Sequence, residues 1–470
     1  MVIENNFEGW IPVDEKYVAF SAKGFILHIF SPDPDFFAAK ALLNRFISQN
    51  SQKGEYIQAQ DTELHRVAFL NSTNALRLYD PSSGLFLSTP IIIKSSGNTD
   101  YFYKSLTRDW VLYDAITFWG GNVNTIRNPK RAILDISKRD DKDYFAGANT
   151  INVKPFSEQT RRIPVTIRGI NAEMVISSFC SDLDYESMRE IAYVDSSIKF
   201  VFNRPQRLNS ITEYINDFKC LIALFSRHSN VKFETTLLQK TNAGLFNQTA
   251  ICKVYDGHNN YLEEFRSSVL QIDDILNLKN GEKIFINIIN SISNNEIQHI
   301  RRLFIEDNDR HKWISVDDVG FLCSALEVEC DKSLESTEKN SWIEGLKEII
   351  KQTISEYERD NPNSNVSNET NISSCFQHLN YTLKDRIFYL YQMHKSLIDQ
   401  FNKQKQLPAI SVESIGNFVK IRNKAAHEGS SAWNGGEKIY YSLLYLTYVS
   451  FFSRSGMSEE DISSLLGVLF

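Results

Sequence analysis

Hydrophobic and polar residues alternate with a period of two through most of the first 260 residues of the chain. Short segments rich in β-branched and aromatic residues are bounded there by Gly, Pro, Ser or Asn, which predicts β-strands. The predicted strands are 17–30, 64–70, 85–93, 110–118, 132–136, 165–170, 198–202 and 231–237. An apolar face with helical spacing interrupts them and predicts a helix over 211–227, capped by Asn209 or Ser210.

From about residue 270 the apolar period changes to 3.6 residues, which predicts helices. The predicted helices are 284–292, 316–328, 342–357, 379–401, 412–428 and 437–452. Residues 360–374 are rich in Asn and Ser and predict a mobile loop within this region. The pattern therefore predicts the α+β class. A β-rich domain would span 1–265, with one long helix near 211–227, and a helical domain would span 266–470.

The predicted helix 412–428 carries a cation in the middle of its apolar stripe. The stripe comprises Ile415, Phe418, Val419, Ala425 and Ala426. Arg422 lies seven residues after the first of these and four after the second, while Asn423 and His427 share a neighbouring face. Burying an arginine without a partner is costly, so two interpretations are open. Arg422 pairs with a carboxylate elsewhere, or it stabilises a phosphate while His427 moves protons.

The order Arg422-Asn423-x-x-x-His427 resembles the motif of HEPN domains, in which four to six residues separate an Arg from a His and Asn commonly follows the Arg. No other Arg of this chain precedes a His by five to seven positions, and the motif lies on the penultimate helix-like segment. Residues 321–327 (FLCSALE) resemble the opening helix of the ApeA-like HEPN subgroup, and 381–387 (YTLKDRI) resemble its second helix. Residues 9–12 (GWIP), 78–80 (LYD) and 84–86 (GLF) look like parts of the β-rich N-terminal domain of ApeA-type anti-phage proteins.

The resemblance implies an all-α HEPN bundle acting as a metal-independent RNA endonuclease in bacterial abortive infection. Such an enzyme needs no cofactor and cuts cellular RNA, such as tRNA, through attack by a 2′-OH. His427 would transfer protons, Arg422 would stabilise the phosphorane, and Asn423 would orient the imidazole or bond the phosphate. Lys420 and Lys424 would contact RNA phosphates, although lysines at such positions commonly form a solvated face.

The resemblance also implies partners. The motif helix of HEPN domains pairs with its copy, which implies a homodimer or a higher homo-oligomer. The β-rich domain would restrain the nuclease until a phage component, such as a protein, triggers it. The rival interpretation is a non-catalytic HEPN assembly or adaptor protein whose β-rich domain binds a ligand or partner. Structural ion pairs are the expected role of Glu327, Asp385 and Arg386, with one another or with Arg422.

Composition adds little to this picture and excludes some classes. The net charge of −7 over 470 residues gives no global attraction for nucleic acid. Six scattered cysteines without a C-x-x-C argue against a zinc ribbon and a disulfide scaffold, and Cys323 and Cys330 are expected to be core thiols. The chain shows no signal peptide, and its uncharged runs are too short to cross a bilayer, which predicts a cytoplasmic protein. Loops for nucleotide binding and serine-hydrolase elbows are absent from the sequence.

Overall fold

The computed structural model describes most of the chain, in fourteen segments that together hold two compact units. The described residues are 3–50, 55–71, 84–98, 112–138, 149–153, 159–180, 194–233, 235–242, 245–254, 269–305, 314–333, 341–362, 382–428 and 435–470. Met1–Asn277 with Ile289–Asn294 forms the first unit, and Leu278–Ile288 with Asn295–Phe470 forms the second. The predicted loop 360–374 and the LYD segment 78–80 fall almost wholly outside the described residues.

Fifteen strands are described in the first unit. They are β1 Asn6–Val13, β2 Lys16–Lys23, β3 Ile26–Phe30, β4 Tyr56–Asp61, β5 His65–Leu70, β6 Leu85–Ser88, β7 Ile91–Asn98, β8 Leu112–Trp119, β9 Ile133–Lys138, β10 Asn149–Val153, β11 Arg161–Ile167, β12 Ile170–Cys180, β13 Val194–Arg207, β14 Thr235–Asn242 and β15 Leu245–Val254. Strands β9 and β10 form a separate antiparallel pair. The other thirteen form one sheet in the order β11-β12-β13-β8-β14-β15-β7-β5-β4-β1-β2-β3-β6, with every neighbouring pair antiparallel.

Two helices of the first unit pack on this sheet, each through an apolar face. Helix α1 (Phe36–Gln49) buries Leu42, Leu43 and Phe46 in a core formed with the strands of residues 3–93. A short helix, α2, spans Val123–Ile126. Helix α3 (Ile211–Ser226) places Phe218 against Phe118 and Phe200, which stand on β8 and β13. Alternate residues of these strands therefore face α3, and their neighbours face the opposite side of the sheet.

The second unit and the segment that leads to it are helical. The described helices are α4 Ile272–Leu276, α5 Gly281–Ser293, α6 Gln298–Arg301, α7 Val316–Ser333, α8 Ser341–Asp360, α9 Leu383–Met393, α10 Lys395–Lys405, α11 Val412–Glu428, α12 Tyr440–Arg454 and α13 Glu459–Leu469. Helices α7, α9 and α11 pack against one another, and α7 also packs against α12. The bundle interior holds many apolar side chains, among which Leu322, Leu326, Phe418 and Tyr448 are fully buried.

The predicted α+β class is confirmed, because strands dominate the N-terminal half and helices the C-terminal half. The predicted helix 412–428 has the observed bounds, whereas 379–401 is two helices that meet at His394. The first of them begins later than predicted because Thr382 and Asp385 close a capping box there. Helix α3 follows a 3₁₀ turn over Leu208–Ser210, so neither predicted residue caps it through its side chain.

None of the helices in the described ranges combines the length and the apolar character that crossing a membrane requires.

Candidate active site around Arg422

Helix α11 is held on several sides, which fixes the direction of each of its described side chains. It packs on α7 and α9 and against the 3₁₀ turn Gly436–Ile439. Its buried residues recur every three positions, at Ile415, Phe418 and Ile421. Ile415 and Phe418 of the predicted stripe are thus buried, Ile421 is buried in addition to them, and Arg422 next to it is half-buried.

Arg422 bonds the side-chain amide next to it. Its Nη1 donates a hydrogen bond to Oδ1 of Asn423 over 3.1 Å. Among the side chains that the structure describes, which do not include those of 425–428, no carboxylate lies within ion-pair distance of this guanidinium. The structural interpretation of Arg422, in which a carboxylate neutralises it, thus lacks its partner in the described part of the chain.

The carboxylates expected near Arg422 have other roles. Asp385 accepts hydrogen bonds from the backbone and hydroxyl of Thr382, as the N-terminal cap of α9. Arg386 forms its ion pair with Asp331 and also donates to the backbone carbonyl of Glu327. Arg386 thus forms a structural ion pair as expected, but with Asp331 and not with the carboxylate of Glu327 or Asp385.

The charge of Arg422 acts on the helix behind it. Burial raises the pKa of the Cys323 thiol on α7 to about 12, and the positive charge of Arg422 opposes that rise. The guanidinium therefore lies close enough to α7 for a low-dielectric interaction. Cys323 and Cys330 are both fully buried, as expected of core thiols.

The remaining predicted site residues occupy the open side of α11. Lys420, Asn423 and Lys424 are exposed, so all three are accessible to a polyanion. The lysines are four residues apart and share one helix face. The prediction that they contact RNA stays a prediction.

His427 lies within α11, in the final turn, and its side chain is outside the described residues. The side chain of Arg422 reaches toward Asn423, which lies about one helical turn before His427 in α11.

A close backbone approach supports α11 before the motif. A Cβ built on Gly436 would lie 2.5 Å from the backbone nitrogen of Phe418 and 2.6 Å from the carbonyl carbon of Asn417. Only glycine allows the 3₁₀ turn to lie this close to the helix. The contact falls one turn before Arg422 and fixes the helix there.

Two polar clusters were missed from the sequence. In the second unit, Glu329 of α7 is fully buried and bonds His299, Ser450 and Arg454. Its pKa is pushed upward by burial, but the hydrogen bonds from His299 and Arg454 outweigh burial and lower it overall. The only signal in the sequence was a Glu three residues after Leu326, on the apolar face of α7.

The second cluster is in the first unit, where Asp61, Glu63 and His65 bring three potential metal-ligand atoms within 4.8 Å of one another. The ammonium of Lys94 lies 2.7 Å from Asp61 and 3.4 Å from Glu63. Burial lowers the pKa of Lys94, but the bonds to the two carboxylates outweigh burial and raise it. A positive charge thus already occupies the cluster, which makes it an ion-pair network with a buried core of Asp61 and Lys94 and an exposed Glu63.

Comparison of the chain with protein-family models, with curated proteins and with solved structures found no match.

Proposed function

We propose that the chain is a HEPN-type RNA endonuclease of bacterial anti-phage defence, with its reaction centred on Arg422, Asn423 and His427. The observation that carries the proposal is the hydrogen bond from Arg422 to Asn423. A half-buried guanidinium, without an ion-pair partner among the described side chains, is held to an amide about one helical turn before His427 in the chain. Phosphoryl-transfer chemistry on RNA requires a preorganised cation and a group that transfers protons, which are the roles proposed for Arg422 and His427.

The proposed reaction needs only the RNA and the protein side chains. The 2′-oxygen of the RNA attacks the adjacent phosphorus while His427 accepts the 2′-OH proton. Arg422 stabilises the doubly negative phosphorane, and Asn423 holds the guanidinium or the imidazole in place. The bond from phosphorus to the 5′-oxygen then breaks, and a protonated imidazole supplies the proton to the leaving oxygen. The products are a 2′,3′-cyclic phosphate and a 5′-hydroxyl.

One histidine cannot hold and release both protons in the same step, so the proposal includes a second copy of the chain. A homodimer through α11 would bring two Arg and two His to one cleft. Lys420 and Lys424 are exposed beside it and would contact phosphates of the RNA, such as a tRNA. The β-rich first unit would restrain this site until a phage component, a protein in the simplest case, releases it.

The test compares RNA cleavage by the full-length protein and its variants in EDTA. Total RNA is incubated with wild-type protein, Arg422→Ala and His427→Ala, in buffer and in lysate from phage-infected cells, which supplies a trigger. We expect cleavage with cyclic phosphate ends for the wild type and a loss of about 10²-fold or more in each variant. Arg359→Ala is the matched control, because Arg359 is an exposed arginine on α8, and it should cleave like the wild type.

The adaptor interpretation makes the opposite prediction. If RNA stays equally intact with all four proteins in the infected lysate, the nuclease is refuted. The chain would then act through binding alone. Sedimentation at micromolar protein concentration adds a second check, since a strict monomer contradicts the shared site.

A further inference from the structure

A row of lysines follows the open side of α11 in the second unit. Lys420 and Lys424 lie four residues apart on this helix, and both are exposed. Neither lysine forms an ion pair with a carboxylate whose side chain the structure describes. The position one turn earlier in the same row is Gly416, which carries no side chain. Two cations of the row thus belong to α11 itself, and its next position is open.

A lysine of a neighbouring helix fills the position that Gly416 leaves open. Helices α9 and α11 pack together, and Lys384 is the second residue of α9. A Cβ built on Gly416 would lie 3.2 Å from Cδ and 3.9 Å from Cγ of Lys384. The stem of Lys384 therefore crosses α11 at the place of the missing side chain. Its ammonium group, two bonds beyond Cδ, adds a third cation to the row.

Two carboxylates stand beside the row, and neither is bound tightly to a lysine. The ammonium of Lys384 lies 3.7 Å from Oδ1 of Asp385, and these side chains are 39% and 38% exposed. An ion pair this long and this exposed contributes little, so a phosphate can replace the carboxylate. The other oxygen of Asp385 already accepts hydrogen bonds from Thr382. Glu413 is exposed at the start of α11, three residues before Gly416, so the positive row ends there.

The row has the dimensions of a short stretch of one nucleic-acid strand. The helical rise of about 1.5 Å per residue places Gly416 and Lys424 about 12 Å apart along the axis, in two steps of about 6 Å. An RNA strand carries one negative charge at each nucleotide, so evenly spaced ammonium groups can contact several of its phosphates. Lys424 precedes His427 by three residues. The row therefore leads from the first turns of α11 to the proposed reaction centre.

We propose that Lys384, Lys420 and Lys424 form a track for the phosphates of an RNA strand, with Lys384 as a further RNA-binding residue on the side of the track remote from His427. Gly416 is part of the track because it admits the stem of Lys384. A contact remote from the scissile bond supplies binding energy that orients the strand at the reacting atoms. The inference rests on the proposed function and extends it from the reaction centre to the path of the substrate.

The test measures how salt weakens RNA binding by the full-length protein. The parent protein and every variant carry His427→Ala to keep the RNA intact, and the probe is a fluorescein-labelled oligouridylate beside an oligothymidylate of the same length. Anisotropy titrations give the slope of the logarithm of the binding constant against that of the salt concentration, to which each phosphate contact contributes about −0.7 in a single strand. Lys384→Gln should make the slope shallower by about 0.7 and weaken binding by about threefold or more. Lys395→Gln is the matched control, since Lys395 is an exposed lysine in the first turn of α10.

Lys384→Arg should keep the slope of the parent protein, because it keeps the charge. The proposal is overturned if the parent protein does not bind the oligouridylate or binds only the oligothymidylate. It is also overturned if Lys384→Gln keeps the slope of the parent protein, or if Lys395→Gln changes the slope equally. No readout involves cleavage, so the two proposals fail separately. A protein that cleaves RNA but has an unchanged slope in Lys384→Gln loses only the track, and one with the expected slopes but no cleavage loses only the nuclease.

Discussion

Replacing Glu329 tests whether the buried polar network of the second unit stabilises its helices. The carboxylate accepts hydrogen bonds from Nε2 of His299 (2.7 Å), Oγ of Ser450 (2.6 Å) and Nη2 of Arg454 (2.6 Å). A carboxylate can only accept, so the proton of the imidazole must be on Nε2. Helices α6, α7 and α12 meet at this one side chain.

The expected magnitude follows from what each substitution leaves behind. Removing one partner of a buried ion pair costs about 3–5 kcal/mol, mostly because the other charge stays buried. The side chain of Arg454 is 23% exposed, so water recovers part of its solvation and the lower end applies. Glu329→Gln, which keeps one acceptor, should therefore cost about 3 kcal/mol, and Glu329→Leu up to about 5 kcal/mol. A second change, Arg454→Met, should return much of the loss by removing the stranded charge.

The pH dependence of stability provides an independent test of the role of Glu329. The pKa of Glu329 is lower in the folded protein than its ordinary value of 4.5. Its contribution is therefore complete above pH 4.5 and is lost as the pH falls through the lowered value. The wild type should lose this stability in acid, and Glu329→Gln should lack that component of its pH dependence.

The measurement is hydrogen exchange of the amides in α12, because two units need not unfold in a single transition. Glu348→Gln is the matched control: its pair with Lys351 is more than half exposed, so it should change stability by less than about 1 kcal/mol. The reasoning is refuted if Glu329→Leu exchanges like the control, or if Glu329→Gln keeps the acid dependence of the wild type.

Two further predictions concern the packing around α11 and α7. Gly436→Ala forces a Cβ against the backbone of Phe418, so it should destabilise the second unit by about 1–3 kcal/mol and lower RNA cleavage, as thermal unfolding and the nuclease assay would show. Gly345→Ala, on an exposed face with open space around its Cβ, should be neutral or stabilising, and equal effects of the two would contradict the close approach. Burial raises the pKa of Cys323 to about 12, so iodoacetamide near pH 8 should label it only after denaturation. Mass spectrometry would detect the adduct, and rapid labelling of the folded protein would show that the thiol is accessible.

Local sequence patterns predicted the elements in which propensity, periodicity and flanking residues indicate the same structure. They failed where tertiary packing overrides these signals. The bounds of α11 were predicted because apolar residues recur with helical spacing from Ile415 onward. Strand β1 was missed because Glu8, Gly9 and Pro12 lower its β-propensity, although its buried and exposed residues alternate. Helix α1 was missed even though Asp35 caps it and its buried residues have helical spacing.

Part of the surroundings of Arg422 was predicted from the sequence. The helix that carries Arg422 and Asn423 was predicted, and Ile415 and Phe418 of its stripe are buried, but the buried Ile421 was overlooked. The bond between Arg422 and Asn423 depends on side-chain rotamers, which no periodicity encodes. The network of Glu329 and the contact of Lys384 with Gly416 join residues far apart in sequence, so only the folded chain reveals them.

The position of β15 in the sheet has a consequence for how the chain is made. Within the described strands, β15 alone links the two parts of the sheet. In spatial order, one part is β11-β12-β13-β8-β14 and the other is β7-β5-β4-β1-β2-β3-β6. Strand β15 pairs with β7, whose residues precede it by about 150 positions. Because this pairing must close a long loop of chain, we expect it to form late in folding. During synthesis the halves stay unjoined until residue 254 leaves the ribosome, and α11 emerges well after that. All described strands of the sheet thus leave the ribosome before the helix that carries Arg422. A chain that ends between residue 254 and that helix contains the strands but lacks the helix.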